Sequence, residues 1–241
     1  MTNYMQSLLP ELDGYQVALF QQRGVAPSTL DGPFDVPTLR DDVIEVLDSL
    51  GWESPVMIGH SWGGHLLFHL MAACPNRVGS GLLVDPLGAV GDGGLAAFRE
   101  ELQRRLPQAT VARLAELDAI EATRALTQEE ELESMEIGWP GYFSSLEAAQ
   151  PIPQTGHAPS DESWASIEAE LPGLADRLRG CLVPTRFVHG DLDPLPVTAS
   201  TDTAELMDAP VDALAGNGHF PWLENPGCVR RSLDRLLATA G

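Results

Sequence analysis

The chain has 241 residues, of which 44% are hydrophobic and 20% are charged. It is long enough to bury one sizeable core, and these proportions exclude a chain that is mainly disordered. Fourteen lysines and arginines against 35 aspartates and glutamates give a formal net charge of −21. Because such a surface repels phosphate groups and anionic headgroups, we expect neither a nucleic-acid nor a membrane partner.

The cysteines and the N-terminal residues bear on the cellular compartment. Cys74, Cys181 and Cys228 form no close pair and no C-x-x-C motif. This sparse, odd count argues against a disulfide framework and a zinc site, so we predict buried thiols in a reducing environment. The first 15 residues carry no basic region and no long apolar run, and no stretch reaches the length of a membrane span. We therefore expect a cytoplasmic protein.

Short apolar runs alternate with helical patterns along the first 85 residues. Residues 15–20 (YQVALF) predict a first strand, and the apolar spacing in residues 38–50 predicts an amphipathic helix. Residues 55–59 (PVMIG) predict a buried strand that runs directly into a helix over residues 60–74. Residues 80–85 (SGLLVD) predict the next strand.

The pattern becomes mainly helical from about residue 88 to residue 170, and strands return after it. Strands are predicted at residues 185–190 and 210–216, and helices at residues 202–207 and 227–240. This alternation predicts an α/β fold with a mostly parallel sheet and helices on both faces. We expect residues 1–88 and 171–241 to form the core, and residues 89–170 to form a helical lid, or cap, over the strand ends.

One motif carries chemistry directly. The sequence Gly59-His60-Ser61-Trp62-Gly63 fits G-x-S-x-G and lies between a predicted strand and a predicted helix. In a nucleophile elbow the tight turn exposes the serine hydroxyl, and a Cβ at either glycine is expected to collide with the backbone. The backbone NH of Trp62 would then be free to donate to a developing oxyanion. The alternative is an incidental turn of small residues.

A serine nucleophile needs a base, and the base needs an orienting acid. Asp193 follows a predicted strand, and His219 lies in a glycine-rich loop after the last one, which gives the chain order serine, aspartate, histidine. We predict His219 as the general base and Asp193 as the acid. Asp85, at the end of an earlier strand, and Asp191 are alternative acids, although a turn or capping role also explains Asp191.

The other histidines have simpler interpretations. His60 is expected to line the wall of the site. His65 and His69 have a spacing that can bind metal, but no carboxylate motif accompanies them, so we interpret both as helix-packing side chains. We interpret His189 as structural and His157 as a solvated lid residue. No metal and no organic cofactor is predicted.

The segments GHSWGG, HGDLDPLP and GHFPWLENP together resemble the α/β-hydrolase superfamily, particularly its proline-iminopeptidase-like branch. Residues 18–28 are similar to a strand and turn of that branch, with Gln21 in place of the usual aspartate. The resemblance implies a serine hydrolase that cleaves a small ester or amide, with a small-molecule or short-peptide substrate. It does not select the substrate or the oligomeric state, since esterases, peptidases and C–C hydrolases share these motifs.

The sequence departs from the family in one respect. The family usually carries an H-G-G-P-G segment that supplies a second oxyanion NH, and here the first 15 residues resemble the helix that follows this segment. Three explanations of this departure are open: a protein that begins upstream of Met1, a sheet that is closed in another way, or a chain that is an inactive remnant of the family. We expect the first. Loss of one oxyanion donor costs on the order of 3 kcal/mol.

The cap contributes candidates for substrate recognition. An aminopeptidase would need carboxylates to hold a free amino group, and the candidates by region are Glu129, Glu130, Glu131, Glu133 and Glu136. A charged helix face explains them equally well. Trp139 and Tyr142 are expected either as aromatic walls of the substrate pocket or as packing between lid and core. Two competing functions are a non-catalytic protein that binds a small ligand and a lyase that uses Ser61 and His219 without an acyl-enzyme.

Overall fold

The computed structural model describes residues 4–151 and 161–240. At its centre is a parallel sheet of four strands in the order β1-β2-β3-β4. The strands are β1 (Val56–His60), β2 (Ser80–Val84), β3 (Thr185–Gly190) and β4 (Val211–Leu214). The sequence predictions at residues 55–59, 80–85, 185–190 and 210–216 are therefore confirmed.

Helices flank the sheet in the described part of the chain. The α-helices are α1 (Val36–Leu50), α2 (Trp62–Ala73), α3 (Leu95–Arg105), α4 (Gln108–Glu121), α5 (Gln128–Gly138), α6 (Asp161–Leu178), α7 (Val197–Leu206), α8 (Pro221–Glu224) and α9 (Cys228–Ala240). Short 3-10 helices lie at Tyr4–Leu12, Pro75–Arg77, Trp139–Tyr142 and Leu146–Ala148.

The sheet is packed on both faces, because side chains alternate across each strand. Leu83 of β2 and Phe187 of β3 belong to one buried cluster, with residues of α1, α2, α6 and α7. Leu82 and Val188 belong to a second cluster, with residues of α9 and of the N-terminal 3-10 helix. All five residues of β2 are buried. The predicted α/β architecture is thus confirmed.

The strand predicted at residues 15–20 does not form. This segment is mostly exposed, with Tyr15 at 43% and Phe20 at 37% of their accessible surface. Among the described residues, β1 is an edge strand that pairs only with β2. A strand needs a neighbour to satisfy its backbone NH and C=O groups, and the apolar pattern of residues 15–20 meets no such neighbour here.

Between Val84 and Thr185 the described residues form helices and turns and no strand. This agrees with the helical character predicted for residues 88–170. Helix α6 continues past residue 170, and Leu171, Leu174 and Leu178 join the buried cluster with α1 and α2. His157 lies outside the described residues. No helix in the described stretches combines the length and apolar character that crossing a bilayer would require.

Candidate active site

Ser61 lies at the junction of β1 and α2 with a strained backbone. Its φ is 52° and its ψ is −121°, a combination rarely adopted by residues other than glycine. The Ser61 NH donates to the Val84 carbonyl at 3.0 Å, which ties the turn to the end of β2. Strain at one serine between a strand and a helix is the geometry of a nucleophile elbow.

The glycines of the turn have different roles. A Cβ at Gly59 would lie 2.7 Å from the Gly63 carbonyl oxygen and from the Gly64 Cα, so this position requires glycine. A Cβ at Gly63 would meet nothing within 4 Å, and the expectation that this glycine is sterically required is therefore wrong. The crowded second position is Gly64, where a Cβ would lie 2.7 Å from the Cβ of Pro86.

Trp62 is the first residue of α2, so its backbone NH has no acceptor within the helix. A helix N-terminus favours negative charge nearby. The half-buried Trp62 side chain donates from Nε1 to Gln22 Oε1 at 3.3 Å. The backbone NH of Trp62 is therefore available, next to Ser61, to donate to an oxyanion as the sequence predicts.

The predicted base and acid lie in contact. Nδ1 of His219 and Oδ2 of Asp193 are 2.7 Å apart, and both residues are buried. Asp193 Oδ1 also accepts from the Leu195 NH at 2.7 Å, which fixes the carboxylate. With Nδ1 facing the carboxylate, His219 carries its proton on Nδ1 and leaves Nε2 as the basic nitrogen.

The serine and the histidine lie on neighbouring loops at the carboxyl edge of the sheet. The rings of His60, which directly precedes Ser61, and His219 have centroids 4.6 Å apart. Among the described residues, no hydrogen bond joins Ser61 Oγ to His219. The structure thus pairs His219 with Asp193 and places the elbow next to them, without a preformed contact between serine and histidine.

His60 lies in a buried environment next to His219. It is only 3% exposed. The Tyr4 hydroxyl oxygen lies 2.8 Å from Nδ1 of His60, and the His219 carbonyl oxygen lies 2.7 Å from its Nε2. Both ring nitrogens are therefore engaged. This arrangement favours a role in holding the histidine loop over direct contact with a substrate.

The two aromatic candidates of the cap segment differ in their proximity to the histidine. The Tyr142 ring lies 5.4 Å from the His219 ring, and its carbonyl accepts from the His219 NH at 2.8 Å. Trp139 packs 4.5 Å from Phe220 and donates from Nε1 to the Gln150 carbonyl at 2.8 Å. Tyr142 thus borders the base directly, whereas Trp139 lies behind Phe220.

Sequence reasoning missed Glu224, which joins the predicted cap segment to the histidine loop. Its Oε2 accepts from the Gly218 NH at 2.6 Å, and its Oε1 accepts from the Ser144 NH at 3.0 Å and from the Ser144 hydroxyl. The backbones also approach closely, since a Cβ at Gly218 would lie 2.6 Å from the Tyr142 carbonyl oxygen. The only signal in the sequence is a glutamate in GHFPWLENP, and no sequence pattern predicts its hydrogen-bond partners.

The alternative acids are also placed by the structure. Asp191 is exposed and accepts from the Gly216 NH through Oδ1, which is the turn role considered for it. Asp85 is fully buried, has a φ of 43°, and accepts from the Gly190 NH at 2.8 Å. Neither carboxylate is hydrogen-bonded to His219 among the described residues, so Asp193 is the acid that the geometry supports.

One buried group has the composition of a metal site. Potential ligand atoms of Asp85, His189 and Asp193 all lie within 4.8 Å of one another. However, Nδ1 of His189 lies 2.8 Å from the Ser200 hydroxyl, and its Nε2 lies 3.0 Å from the Leu195 carbonyl. A histidine engaged at both nitrogens is a poor metal ligand, and these contacts fit the structural role predicted for His189.

The carboxylates of the predicted cap segment are partly paired with arginines. Glu130 pairs with Arg124 at 2.7 Å and also completes a capping box with Thr127 at the start of α5. Glu133 pairs with Arg113 at 2.8 Å. These contacts favour a charged helix face over a site that receives the amino group of a substrate.

Five buried histidines make stability depend on pH. Burial lowers the pKa of His65 and His189 to about 4, lowers that of His69 and His219 to about 3, and lowers that of His60 well below 6.5. The folded state therefore keeps these rings neutral where the unfolded chain, titrating near 6.5, binds protons. Below that pH the free energy of unfolding falls by about 1.4 kcal/mol per pH unit for each histidine.

We expect urea unfolding to show a marked loss of stability between about pH 7 and about pH 5, and little histidine-dependent change above pH 7. His69→Gln removes one of the histidines that bind a proton only in the unfolded chain. In the folded state His69 is buried, and its Nε2 lies 3.2 Å from Nε2 of His65. The variant should lose less stability over the same range. Equal stability of the wild-type protein at both pH values would contradict the prediction.

A parallel sheet, a strained serine at a strand–helix turn and a histidine–aspartate pair at the same edge define an enzyme of the α/β-hydrolase class. Residues 2–229 match the model of the Alpha/beta hydrolase family, and the chain belongs to this family. The recognition of this superfamily from its sequence motifs is thereby confirmed.

Relatives and solved structures agree with this assignment. A 2-hydroxymuconate semialdehyde hydrolase of Pseudomonas putida is 27% identical over 220 residues, covering 90% of this chain and 74% of the relative. The crystal structure of a proline iminopeptidase-related protein from Thermus thermophilus has a TM-score of 0.62 at 19% identity, covering 98% of this chain and 84% of that one. A meta-cleavage product hydrolase (CumD) has a TM-score of 0.63 at 19% identity, with the same coverage. The two structures show the shared fold, and the curated relative supports a hydrolytic function.

Proposed function

We propose that this protein is a serine hydrolase that cleaves a small ester or amide through an acyl-enzyme on Ser61. The observation that carries the proposal is the 2.7 Å contact between His219 Nδ1 and Asp193, beside a serine with a φ of 52°. A neutral histidine oriented by a carboxylate is the base that a serine hydroxyl requires.

In the first half of the reaction, Ser61 Oγ attacks the substrate carbonyl while His219 Nε2 takes its proton. Asp193 holds the Nδ1–H tautomer and stabilises the imidazolium that forms. The Trp62 NH, at the N-terminus of α2, donates to the developing oxyanion. His219 then returns the proton to the leaving group, and the acyl group remains on Ser61.

In the second half, water replaces the leaving group. His219 Nε2 takes a proton from this water as it attacks the acyl carbonyl, and then returns the proton to Ser61 as the acid product leaves. Every proton transfer passes through one histidine nitrogen. Burial lowers the pKa of His219, which favours an unprotonated nitrogen at neutral pH.

The proposal includes the cap and the substrate class. Residues 89–170 act as the cap of a core formed by residues 1–88 and 171–241, and Tyr142 is one of its contacts with the base. The arginine pairs of Glu130 and Glu133 favour a small ester or amide over a peptide with a free amino terminus. Three free cysteines support placement in the reducing cytoplasm.

A fluorophosphonate probe tests this function, because it reacts with activated serines. We expect one label per wild-type chain at neutral pH and none on Ser61→Ala. Tyr15→Phe, a change at a 43% exposed tyrosine, serves as a control that should label like the wild type. An unlabelled but folded wild-type protein would favour the non-catalytic, ligand-binding alternative.

A further inference from the structure

Two carboxyl groups lie together behind the proposed catalytic histidine. The side chains of Asp85 and Asp193 have no exposed surface, and a carboxyl oxygen of each lies within 4.8 Å of the other. They project from the ends of two neighbouring strands, β2 and β3. Two carboxylates buried this close together do not both stay ionised at neutral pH, because neither charge is solvated and each repels the other.

The hydrogen bonds decide which of the two carries the proton. Both oxygens of Asp193 face donors, since Oδ1 accepts from the Leu195 NH and Oδ2 from His219 Nδ1. Asp85 Oδ1 accepts from the Gly190 NH, whereas its Oδ2 is buried without a hydrogen-bond partner among the described residues. Asp85 Oδ2 is therefore the oxygen with room for a proton, and Asp193 is the group held as a carboxylate.

We propose that Asp85 and Asp193 form a carboxylic acid–carboxylate pair with one proton, carried by Asp85, which makes Asp85 a positioning residue for the ionised Asp193. The catalytic part of this inference rests on the proposed function, whereas the protonation of Asp85 does not. A neutral Asp85 leaves one negative charge beside His219, and the imidazolium formed in the reaction balances it. An ionised Asp85 would leave the buried cluster with an uncompensated charge at that stage.

The surrounding groups support this assignment. Burial and the charge of Asp193 both raise the pKa of Asp85, and Glu224 acts in the same direction. Burial and the charge of Glu224 also raise the pKa of Asp193, whereas the neighbouring Asp85 carboxyl, the Leu195 NH and the charge of Arg105 oppose that change. His189, 3.7 Å from Asp85, is neutral because burial lowers its pKa to about 4, so it supplies no cation to hold a second carboxylate.

Infrared spectroscopy of the intact protein tests the inference independently of activity. A buried protonated carboxylic acid has a C=O stretch distinct from that of a carboxylate, and we expect this band at neutral pH in the wild type. Asp85→Asn should lose it. Asp191→Asn, which changes an exposed aspartate of the neighbouring loop, should keep it.

Kinetics of two Asp85 variants test the positioning role. Asp85→Ala removes the group that carries the proton beside Asp193, so we expect a lower kcat/KM and a displaced acidic limb of the pH profile, whereas Asp85→Asn, which keeps a neutral donor at that position, should restore most of the activity. Absence of the protonated-acid band from the wild-type spectrum would overturn the inference even if the variant does not fold. A loss in Asp85→Asn on the order of 10⁴-fold would also overturn it, because that is the effect of removing an ionised orienting acid.

Discussion

Ser61→Ala is expected to lower kcat for a p-nitrophenyl ester by about 10⁵-fold or more, which is the effect of removing the nucleophile from a serine–histidine–aspartate unit. Alanine has no hydroxyl to form the acyl-enzyme, so the two-step route is closed. The side chain is only half-buried and Ser61 Oγ makes no hydrogen bond among the described residues, so we expect the fold to be retained. Steady-state turnover, compared with the far-ultraviolet circular dichroism of both proteins, measures the effect.

Ser54→Ala is the matched control for this change. Ser54 is exposed and lies just before the opposite end of β1, far along the strand from the elbow. Its replacement should leave kcat and KM unchanged. If the Ser61 variant kept a substantial share of wild-type turnover, the acyl-enzyme would not form on Ser61, and the lyase alternative would gain support.

Asp193→Asn is expected to lower kcat by about 10⁴-fold with a small change in KM. An amide can donate to His219 Nδ1, which turns the imidazole into the tautomer whose Nε2 carries the proton and cannot act as a base. The amide also lacks the charge that stabilises the imidazolium. Turnover of the same ester by variants purified in parallel provides the measurement.

The acid loop offers its own control for this prediction. Asp191 lies two residues before Asp193, is exposed, and accepts from the Gly216 NH. Asp191→Asn should therefore cost little turnover. If Asp193→Asn were nearly as active as the wild type while Asp85→Asn lost activity, the orienting acid would be Asp85 and the assignment would be wrong.

The core strands could be predicted from the sequence because buried parallel strands appear as continuous apolar runs. Residues 80–85 and 185–190 contain short runs of this kind, at residues 82–84 and 187–188, and the two segments became β2 and β3. Residues 15–20 look equally apolar, yet they form no strand. A β-strand forms only when a second strand lies alongside and hydrogen-bonds with its backbone. The apolar content of one segment carries no information about whether such a neighbour is present.

The positions of the proposed reacting groups were predictable for a related reason. A turn motif fixes the position of Ser61, and loops after parallel strands bring Asp193 and His219 to one edge of the sheet. Contacts between loops were not predictable. Glu224 reaches Ser144 across 80 residues, and Asp85, at the end of β2, has one buried oxygen without a hydrogen-bond partner among the described residues. The crowding at Gly64 was likewise not predictable, because it comes from the Pro86 side chain, which packs against the turn.

Locating the fluorophosphonate label tests the central claim most directly. Trypsin should release residues 41–77 as one peptide, which contains Ser49, Ser54 and Ser61. The account predicts that fragmentation of this peptide by mass spectrometry places a single phosphonyl group on Ser61 in the wild-type protein. A label on any other residue, with Ser61 unmodified, would contradict it.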